Sequence, residues 1–233
     1  SAGTRYDENT VVVTGDEKLV LSLQAEFNLL WDNGRPVVWN ESIEEPVAIA
    51  ITDAMIEGAM GSEVLLTSGN FTTSMSSTYG PTFKLDSSST VVSDELVAII
   101  EDAEHSITIA SGHMRLRPVA EALIDKARSH PEVDITVYLD GQEYISSWYY
   151  EQQLIELDEC LDEADSASET ADCLDSGFYF GYALALEGID VRYKTYSYRW
   201  HYSYAVQMHH KYILVDDELV VTGSYNLSTN AEQ

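Results

Sequence analysis

Apolar positions along the chain alternate between short runs typical of strands and longer stretches with the spacing of helices. Near the start, a strand is expected at Val11–Thr14, and apolar residues three or four positions apart then predict an amphipathic helix that ends near Trp31. Further along, Ser93 is expected to cap a helix and Pro118 to open another. More strands are predicted at 107–110, 133–139, 189–193, 212–215 and 219–221. Strands that alternate with helices favour an α/β fold, in which helices flank a mixed β-sheet.

The same pattern divides the chain into three segments. Residues 1–34 form a strand-helix segment, and residues 35–90 combine proline and glycine with a stretch rich in Ser and Thr, which indicates a linker or irregular region. Residues 91–233 carry the regular alternation and are expected to form the main domain. Within them, residues 151–176 hold ten acidic residues and no Lys or Arg, and we interpret them as a solvated acidic insertion. A calcium loop is the less favoured alternative, because the Asp spacing does not match an EF-hand.

The chain is strongly acidic. Its 233 residues include 40 Asp and Glu against 12 Lys and Arg, which gives a formal net charge of -28. Such a field repels phosphate backbones and anionic membrane surfaces, so it argues against non-specific binding of nucleic acid. A locally basic pocket can still accept a small anion. Adaptation of the surface to high salt is another interpretation of the same composition.

Two features bear on the compartment in which the protein works. Cys160 and Cys173 lie 13 positions apart inside the acidic segment. A disulfide between them is expected if the chain is exported and contributes about 3 kcal/mol, whereas two free thiols are the alternative. Together with the acidic composition, the pair favours a secreted or periplasmic protein. Asn70-Phe71-Thr72 also forms a glycosylation sequon.

The residues with the clearest chemistry lie after residue 208. His209, Lys211 and Asp216 fit the pattern H-x-K-x-x-x-x-D, and Ser224 and Asn226 stand in a following G-S-x-N. Because His209 and Lys211 are two positions apart on a predicted strand, both side chains should leave the same face of it. The hairpin formed by the last two strands brings Ser224 and Asn226 back beside them. An imidazole, an ammonium, a hydroxyl and a carboxamide at one place predict an oxyanion site, and they suit phosphodiester transfer through a phosphohistidine.

A second group of basic residues follows the strand predicted at 107–110. In open α/β sheets, ligands bind beyond the carboxyl ends of the strands, so His113 and Arg115 are candidates for substrate contact. A salt bridge within the loop is the alternative role for them. His210 lies between His209 and Lys211, so we expect its side chain to face the other side of the strand and to be structural.

The combination of H-x-K-x-x-x-x-D with G-S-x-N at this distance resembles the signature of the phospholipase D superfamily. The resemblance extends over the main domain and implies that His209 is the catalytic histidine. It also implies that Lys211, Ser224 and Asn226 bind phosphate, and that Asp216, a member of the catalytic motif, braces the hairpin rather than reacts. No metal or other cofactor is implied.

The sequence contains one copy of this motif, whereas members of the superfamily use two, in one duplicated chain or across a homodimer. Residues 1–34 resemble the segment that normally follows G-S-x-N, which in the family carries an acidic residue that orients a histidine, here Glu8. Three arrangements are open: one period of a longer duplicated protein, a permuted unit whose N-terminal strand closes its own sheet, or a half that requires a partner chain. We favour the first, so a second phospholipase D-like half is the expected partner.

The sequence therefore predicts a phospholipase D-like phosphodiesterase or phosphatidyltransferase. Phospholipid is the preferred substrate class, because the negative charge disfavours nucleic acid and the aromatic residues at 193–204 suit an amphipathic ligand. The alternatives are a nuclease of the same superfamily and a non-catalytic half-domain that needs a second motif from a partner.

Overall fold

The structure is a computed structural model that describes residues 5–7, 10–34, 49–78, 80–86, 88–194 and 206–232. The chain divides into two compact units, one of residues 1–10 and 93–232 and the other of residues 11–92 and 233. In the described residues the strands are β1 (Arg5–Asp7), β2 (Phe71–Ser76), β3 (Gly80–Leu85), β4 (Ser106–Ser111), β5 (Asp134–Leu139), β6 (Asp190–Tyr193), β7 (Val206–Met208), β8 (Lys211–Val215) and β9 (Leu219–Thr222). The helices are α1 (Glu17–Asp32), α2 (Asp53–Gly58), α3 (Val91–Asp102), α4 (Arg117–Ser129), α5 (Ser147–Glu163), α6 (Ala167–Asp175) and α7 (Phe180–Leu186).

A five-stranded mixed sheet forms the centre of the unit that contains residues 93–232, with the strand order β6-β5-β4-β8-β9. Strands β4, β5 and β6 are parallel, and β8 runs antiparallel to both β4 and β9. A separate parallel pair joins β1 to β7. The predicted α/β class, a mixed sheet flanked by helices, is confirmed. Each strand predicted between 107 and 221 is present to within one residue of its expected bounds.

The core of this unit lies between the sheet and helices α3, α4 and α7. Alternate residues of β4 and β5 are buried, as the period of two along a strand requires; they include Ile107, Ile109, Ile135 and Val137. The helices contribute the buried side chains Leu96, Ile100, Val119, Leu123, Phe180 and Leu184. Among the described residues, no helix combines the length and the apolar character needed to cross a membrane.

The strand predicted at Val11–Thr14 is wrong, because these residues are not in a strand and the three valines are exposed. A strand is stable only when its backbone groups pair with a neighbour, and an apolar pattern does not reveal whether a neighbour exists. The N-terminal strand is β1, which lies earlier in the chain. The helix predicted next is present as α1, and the carboxylate of its N-cap Asp16 accepts the N–H of Leu19 at 2.9 Å.

The region expected to be a linker contains an antiparallel hairpin, in which β2 pairs with β3. The Thr and Phe residues of both strands favour extended backbone. Gly80 adopts a φ of 72°, a conformation that suits glycine and that lets the chain turn into β3. The Ser and Thr content that indicated a loop is therefore compatible with a hairpin here.

Helix α3 begins at Val91, two residues before Ser93, so the predicted cap is wrong. Asn70 takes this role, because its Oδ1 accepts the N–H of Val91 at 2.9 Å and the hydroxyl of Ser89 at 3.1 Å. Asn70 is 0% exposed, so the asparagine of the sequon is inaccessible in the folded chain. Ser93 lies inside the helix, where its N–H donates to Glu232 at 2.6 Å.

The acidic segment 151–176 is largely helical and belongs to α5 and α6. Cys160 of α5 and Cys173 of α6 form a disulfide, with their Cα atoms 5.8 Å apart. Arg117, at the start of α4, donates hydrogen bonds of 3.0 and 2.7 Å to the carbonyl oxygen of Leu174. Because the last carbonyls of a helix lack partners within it, this arginine caps α6. The disulfide and the cap fix the two acidic helices in the unit.

Candidate active site

His209 and Lys211 lie at the edge of the sheet where β4, β5 and β6 end and β8 begins. Lys211 is the first residue of β8 and pairs with Ser111, the last residue of β4. The side chain of Lys211 is largely buried, and its Nζ donates a 2.9 Å hydrogen bond to the carbonyl oxygen of His209. Thr222, the last residue of β9, donates from Oγ1 to the carbonyl oxygen of Lys211 at 3.1 Å. The G-S-x-N segment therefore starts beside Lys211 and shares this edge with His209.

His209 and His210 lie between β7 and β8, which differs from the single continuous strand expected from the sequence. Strand β7 ends at Met208, whose N–H donates a 2.7 Å hydrogen bond to the fully buried carboxylate of Asp140. Gly112 lies close to the same point, since a Cβ there would be 3.1 Å from the carbonyl oxygen of Met208. Both contacts fix the backbone immediately before His209.

The two histidines are half-buried. The ring of His210 lies 5.9 Å from the ring of Tyr212, and its Nδ1 is buried without a hydrogen-bond partner among the described residues. The Oδ1 of Asn226 is likewise buried and without a partner in the described part of the chain, whereas Ser224 is exposed. Buried polar atoms are normally paired, so two such atoms near one edge are typical of a site that receives further polar groups.

The basic residues that follow β4 are paired with a carboxylate. Buried Glu143 accepts a 2.7 Å hydrogen bond from Arg115, and its Oε1 lies 3.0 Å from Nδ1 of His113. Burial by itself raises the pKa of Glu143, but the hydrogen bonds from His113 and Arg115, and their charge, hold that pKa below its ordinary value. The N–H of Arg115 also donates to the carbonyl oxygen of Leu227 at 2.8 Å. The structure thus contains the loop salt bridge that the sequence left as the alternative to substrate contact.

Asp216 lies at the opposite end of β8 from Lys211. Its carboxylate accepts the backbone N–H groups of Glu104, His105 and Ser106 at 2.7 to 2.8 Å. These hydrogen bonds lower the pKa of Asp216. Asp216 follows Lys211 by five positions, which along a strand is about 17 Å. These contacts tie the turn between β8 and β9 to the start of β4, and the bracing role expected of Asp216 stays a prediction.

Aromatic residues border the site at the end of β6. Tyr193, the last residue of that strand, meets the ring of Tyr144 edge to face, with centroids 5.5 Å apart. Burial above all, and then the charge of Glu143, raises the pKa of Tyr193 to about 12, so the phenol keeps its proton at neutral pH. The rest of the aromatic stretch, residues 195–204, lies outside the described residues. Glu8 does too, so its expected role in orienting a histidine stays a prediction.

Asp140 and Glu143 belong to the site but were not anticipated from the sequence. Both follow the strand predicted at 133–139, in the run Asp140-Gly141-Gln142-Glu143. The rule that ligands bind beyond the carboxyl ends of parallel strands, applied above to His113 and Arg115, points to these two carboxylates equally well. Among the described residues, no group of His, Cys, Asp or Glu side chains is arranged to hold a metal ion.

A mixed α/β sheet that carries an H-x-K-x-x-x-x-D motif where its parallel strands end defines a domain of the phospholipase D type. The family model described as "Cardiolipin synthase, PLD-like domain" matches residues 96–233, more than half of the chain. The chain therefore belongs to the phospholipase D-like family, as the motif suggested.

Solved structures of two bacterial proteins are similar to the chain. One is Nuc from Salmonella typhimurium, a phospholipase D family member, with a TM-score of 0.35 and 20% identity over 59% of this chain and 66% of that chain. The other is NucT from Helicobacter pylori, with a TM-score of 0.35 and 19% identity over 60% of this chain and 69% of that chain. The matched region thus spans about two thirds of each. No curated protein matches the chain.

Proposed function

We propose that this chain acts on phosphodiester bonds of phospholipids, with His209 as the nucleophile. The imidazole of His209 attacks phosphorus, the alcohol leaves, and water or a second alcohol then displaces the histidine from the phosphohistidine. Lys211 and the side chains of Ser224 and Asn226 stabilise the phosphoryl oxygens as charge shifts during both steps. The choice between water and alcohol decides whether the product is a hydrolysed or a transferred phosphatidyl group.

The observation that carries this proposal is the contact between Lys211 and residue 209. An ammonium that is largely buried and held 2.9 Å from the backbone of the proposed nucleophile is a fixed positive charge at the reacting centre. Burying such a charge costs free energy, and a buried charge can stabilise an anionic substrate. The G-S-x-N segment beside it supplies the further donors that a phosphoryl group requires.

Phospholipid is favoured over nucleic acid because the arginines that the structure describes are neutralised by carboxylates. Every arginine whose side chain the structure describes is paired with a carboxylate; the pairs are Arg115 with Glu143, Arg117 with Glu121, Arg128 with Glu187 and Arg192 with Asp190. Affinity for a phosphate backbone comes mainly from unneutralised Lys and Arg. These four cations therefore do not form a basic groove, and the net charge of -28 opposes one elsewhere.

A second acid is needed to protonate the leaving oxygen. We assign it to a second phospholipase D-like half, supplied by the same parent chain or by another copy of this one. The acidic composition and the disulfide support an exported protein, since disulfides persist in oxidising compartments.

The test is the intact mass of the chain after brief exposure to dihexanoylphosphatidylcholine or to a single-stranded oligonucleotide, with a quench that avoids acid. The variants are His209→Ala and, as a matched control, His210→Ala. We expect a phosphatidyl adduct in the wild type and in His210→Ala, and its loss in His209→Ala.

An adduct that persists in His209→Ala would exclude this residue as the nucleophile. Cleavage of the oligonucleotide without reaction of the lipid would make the chain a nuclease. A folded wild-type chain that reacts with neither substrate would support the non-catalytic half-domain.

A further inference from the structure

A group of exposed aromatic side chains lies beside the site, in the segment after β5 and in the first turn of α5. Tyr144 is 65% exposed, Trp148 is 64% exposed and Tyr149 is 40% exposed. Large aromatic residues normally contribute their area to a core or to an interface, so three of them exposed within six positions are unusual for a surface that meets only water. We call these three residues the aromatic surface.

The segment that carries the aromatic surface contains no charged residue although the chain is strongly acidic. Residues 144–150 contain no Asp, Glu, Lys or Arg, and they lie between Glu143, which is buried and paired, and Glu151. In a chain with 40 acidic residues, such a run is a segment in which no charged side chain of its own has to be desolvated when a neutral partner docks.

The aromatic surface is held rigidly from below. Buried Ile145 anchors the segment, and Ser146 caps α5 by accepting the N–H of Tyr149 at 3.3 Å. The ring of Tyr149 lies 5.9 Å from that of Phe178. The guanidinium of Arg115 lies over the ring of Phe178, 5.2 Å from its centroid. A preorganised surface loses little conformational entropy when it binds.

The same segment is joined to the active-site edge. Tyr144 follows Glu143, whose carboxylate holds His113 and Arg115, and its ring contacts Tyr193 at the end of β6. A partner seated on the aromatic surface would therefore lie next to the end of the sheet that carries Lys211.

We propose that Tyr144, Trp148 and Tyr149 are the surface through which this chain docks on the headgroup layer of a neutral, zwitterionic phospholipid bilayer. This inference rests on the proposed function, because it supplies the form in which the substrate reaches the same site. Trp and Tyr partition to the boundary between lipid and water, where the ring is apolar and the N–H or O–H stays hydrated. The net charge of -28 selects neutral over anionic bilayers.

Base stacking on single-stranded nucleic acid also uses exposed aromatic rings, but it is accompanied by a positively charged groove. The arginines that the structure describes are all neutralised by carboxylates, and Arg115, the one beside Phe178, is bound to Glu143. The observations therefore favour lipid.

The experiment is cosedimentation of the whole chain with two kinds of vesicle, one of phosphatidylcholine alone and one that also contains phosphatidylglycerol. A gel-shift assay with a single-stranded oligonucleotide is run beside it. We compare the wild type with the double variant Tyr144→Ala/Trp148→Ala. The control is Tyr138→Ala, which removes from β5 an aromatic ring that is 42% exposed. We expect the double variant to bind phosphatidylcholine vesicles about tenfold more weakly or worse, the control to bind as the wild type does, and phosphatidylglycerol to weaken binding.

The docking is tested separately from the chemistry, because His209→Ala should bind vesicles like the wild type even though it forms no adduct. If His209→Ala and the wild type both bind but neither reacts, the docking surface stands, and the chain is instead the half-domain that needs a second motif from a partner. Wild type that ignores phosphatidylcholine vesicles, or a double variant that binds them undiminished, would overturn the docking proposal. Oligonucleotide binding that disappears in the double variant would overturn it in favour of base stacking. Circular dichroism of each variant establishes that it is folded.

Discussion

His113 and Glu143 form a hydrogen-bonded pair in which Nδ1 of the imidazole lies 3.0 Å from Oε1 of the carboxylate. A carboxylate at one ring nitrogen holds the proton there and orients the ring, so Nε2 of His113 is directed away from Glu143. Arg115 binds the same carboxylate and is tied through its N–H to Leu227, just after the G-S-x-N segment. Glu143 is therefore the buried centre around which the loop after β4 is built.

Replacing Glu143 should show how much its contacts with His113 and Arg115 contribute to stability. Glu143→Gln is expected to lower the free energy of unfolding by about 2 kcal/mol near neutral pH, because it leaves the donors of His113 and Arg115 poorly matched. Chemical denaturation of both proteins gives the difference. The control is Glu132→Gln, which alters an exposed carboxylate paired with His130 and should change stability little.

The pH dependence of the same variant follows from the sign of the pKa shift. The pKa of Glu143 is lowered from its ordinary value of 4.5, so its contribution to stability is full above that value and is lost as pH falls through the folded-state pKa. We expect the stability gap between wild type and Glu143→Gln to narrow as the solution is taken below about pH 4. A gap that stays constant over that range would show that Glu143 is not the titrating group.

A variant of Asp216 should lose stability but keep the reaction at His209. Asp216→Asn weakens the bonds to three backbone N–H groups at the start of β4 and should lower Tm. Because Asp216 lies at the far end of β8, the folded fraction should still form the phosphohistidine at a similar rate. Thermal melts give the change in Tm, and the adduct assay, run well below Tm, gives the rate of phosphohistidine formation. An adduct abolished in folded Asp216→Asn would give this carboxylate a direct part in the reaction.

The bond between Cys160 and Cys173 should stabilise the acidic helices. Changing both residues to Ser is expected to reduce the free energy of unfolding by about 3 kcal/mol, because the closed loop limits the unfolded chain. Titration of the denatured, unreduced protein with a thiol reagent should detect no free thiol. Two titratable thiols would mean that the pair is not bonded in the isolated chain.

Lys126 makes a purely structural use of a buried charge. Its Nζ donates to the carbonyl oxygens of Glu101 and of Ala103, the latter at 2.9 Å, at the C-terminal end of α3. Lys126→Met should therefore cost about 2 kcal/mol of stability, because these carbonyls lose their cap and the favourable charge at a helix C-terminus. Arg128→Met removes an exposed cation from α4, the helix that also carries Lys126. It should lower the free energy of unfolding clearly less in the same denaturation assay.

The strands of the sheet could be predicted from the sequence because each carries its own period-two or fully apolar pattern. Val11–Thr14 has the same composition as those strands but lacks a partner, and pairing is a property of the whole fold. The cap of α3 was assigned to Ser93, whereas Asn70 supplies it from 21 residues before Val91. Local patterns do not encode such long-range contacts.

The candidate site also has a part that the sequence predicts and a part that only the fold shows. The spacing of His209, Lys211, Ser224 and Asn226 was visible because the residues are close in sequence. The contact between Asp140 and Met208 joins residues 68 positions apart and could be found only from the fold. The break between β7 and β8 accompanies it, and it was missed for the same reason.

The burial of Asn70 has a consequence for how the protein can be made. An N-linked sugar is attached to the side-chain amide, and here that side chain is fully buried, with its Oδ1 hydrogen-bonded to Ser89 and Val91. A sugar chain on this buried amide is sterically incompatible with the fold around it. In a host that glycosylates exported proteins, each molecule that carries a glycan at Asn70-Phe71-Thr72 is thus marked as one that has not reached its folded state.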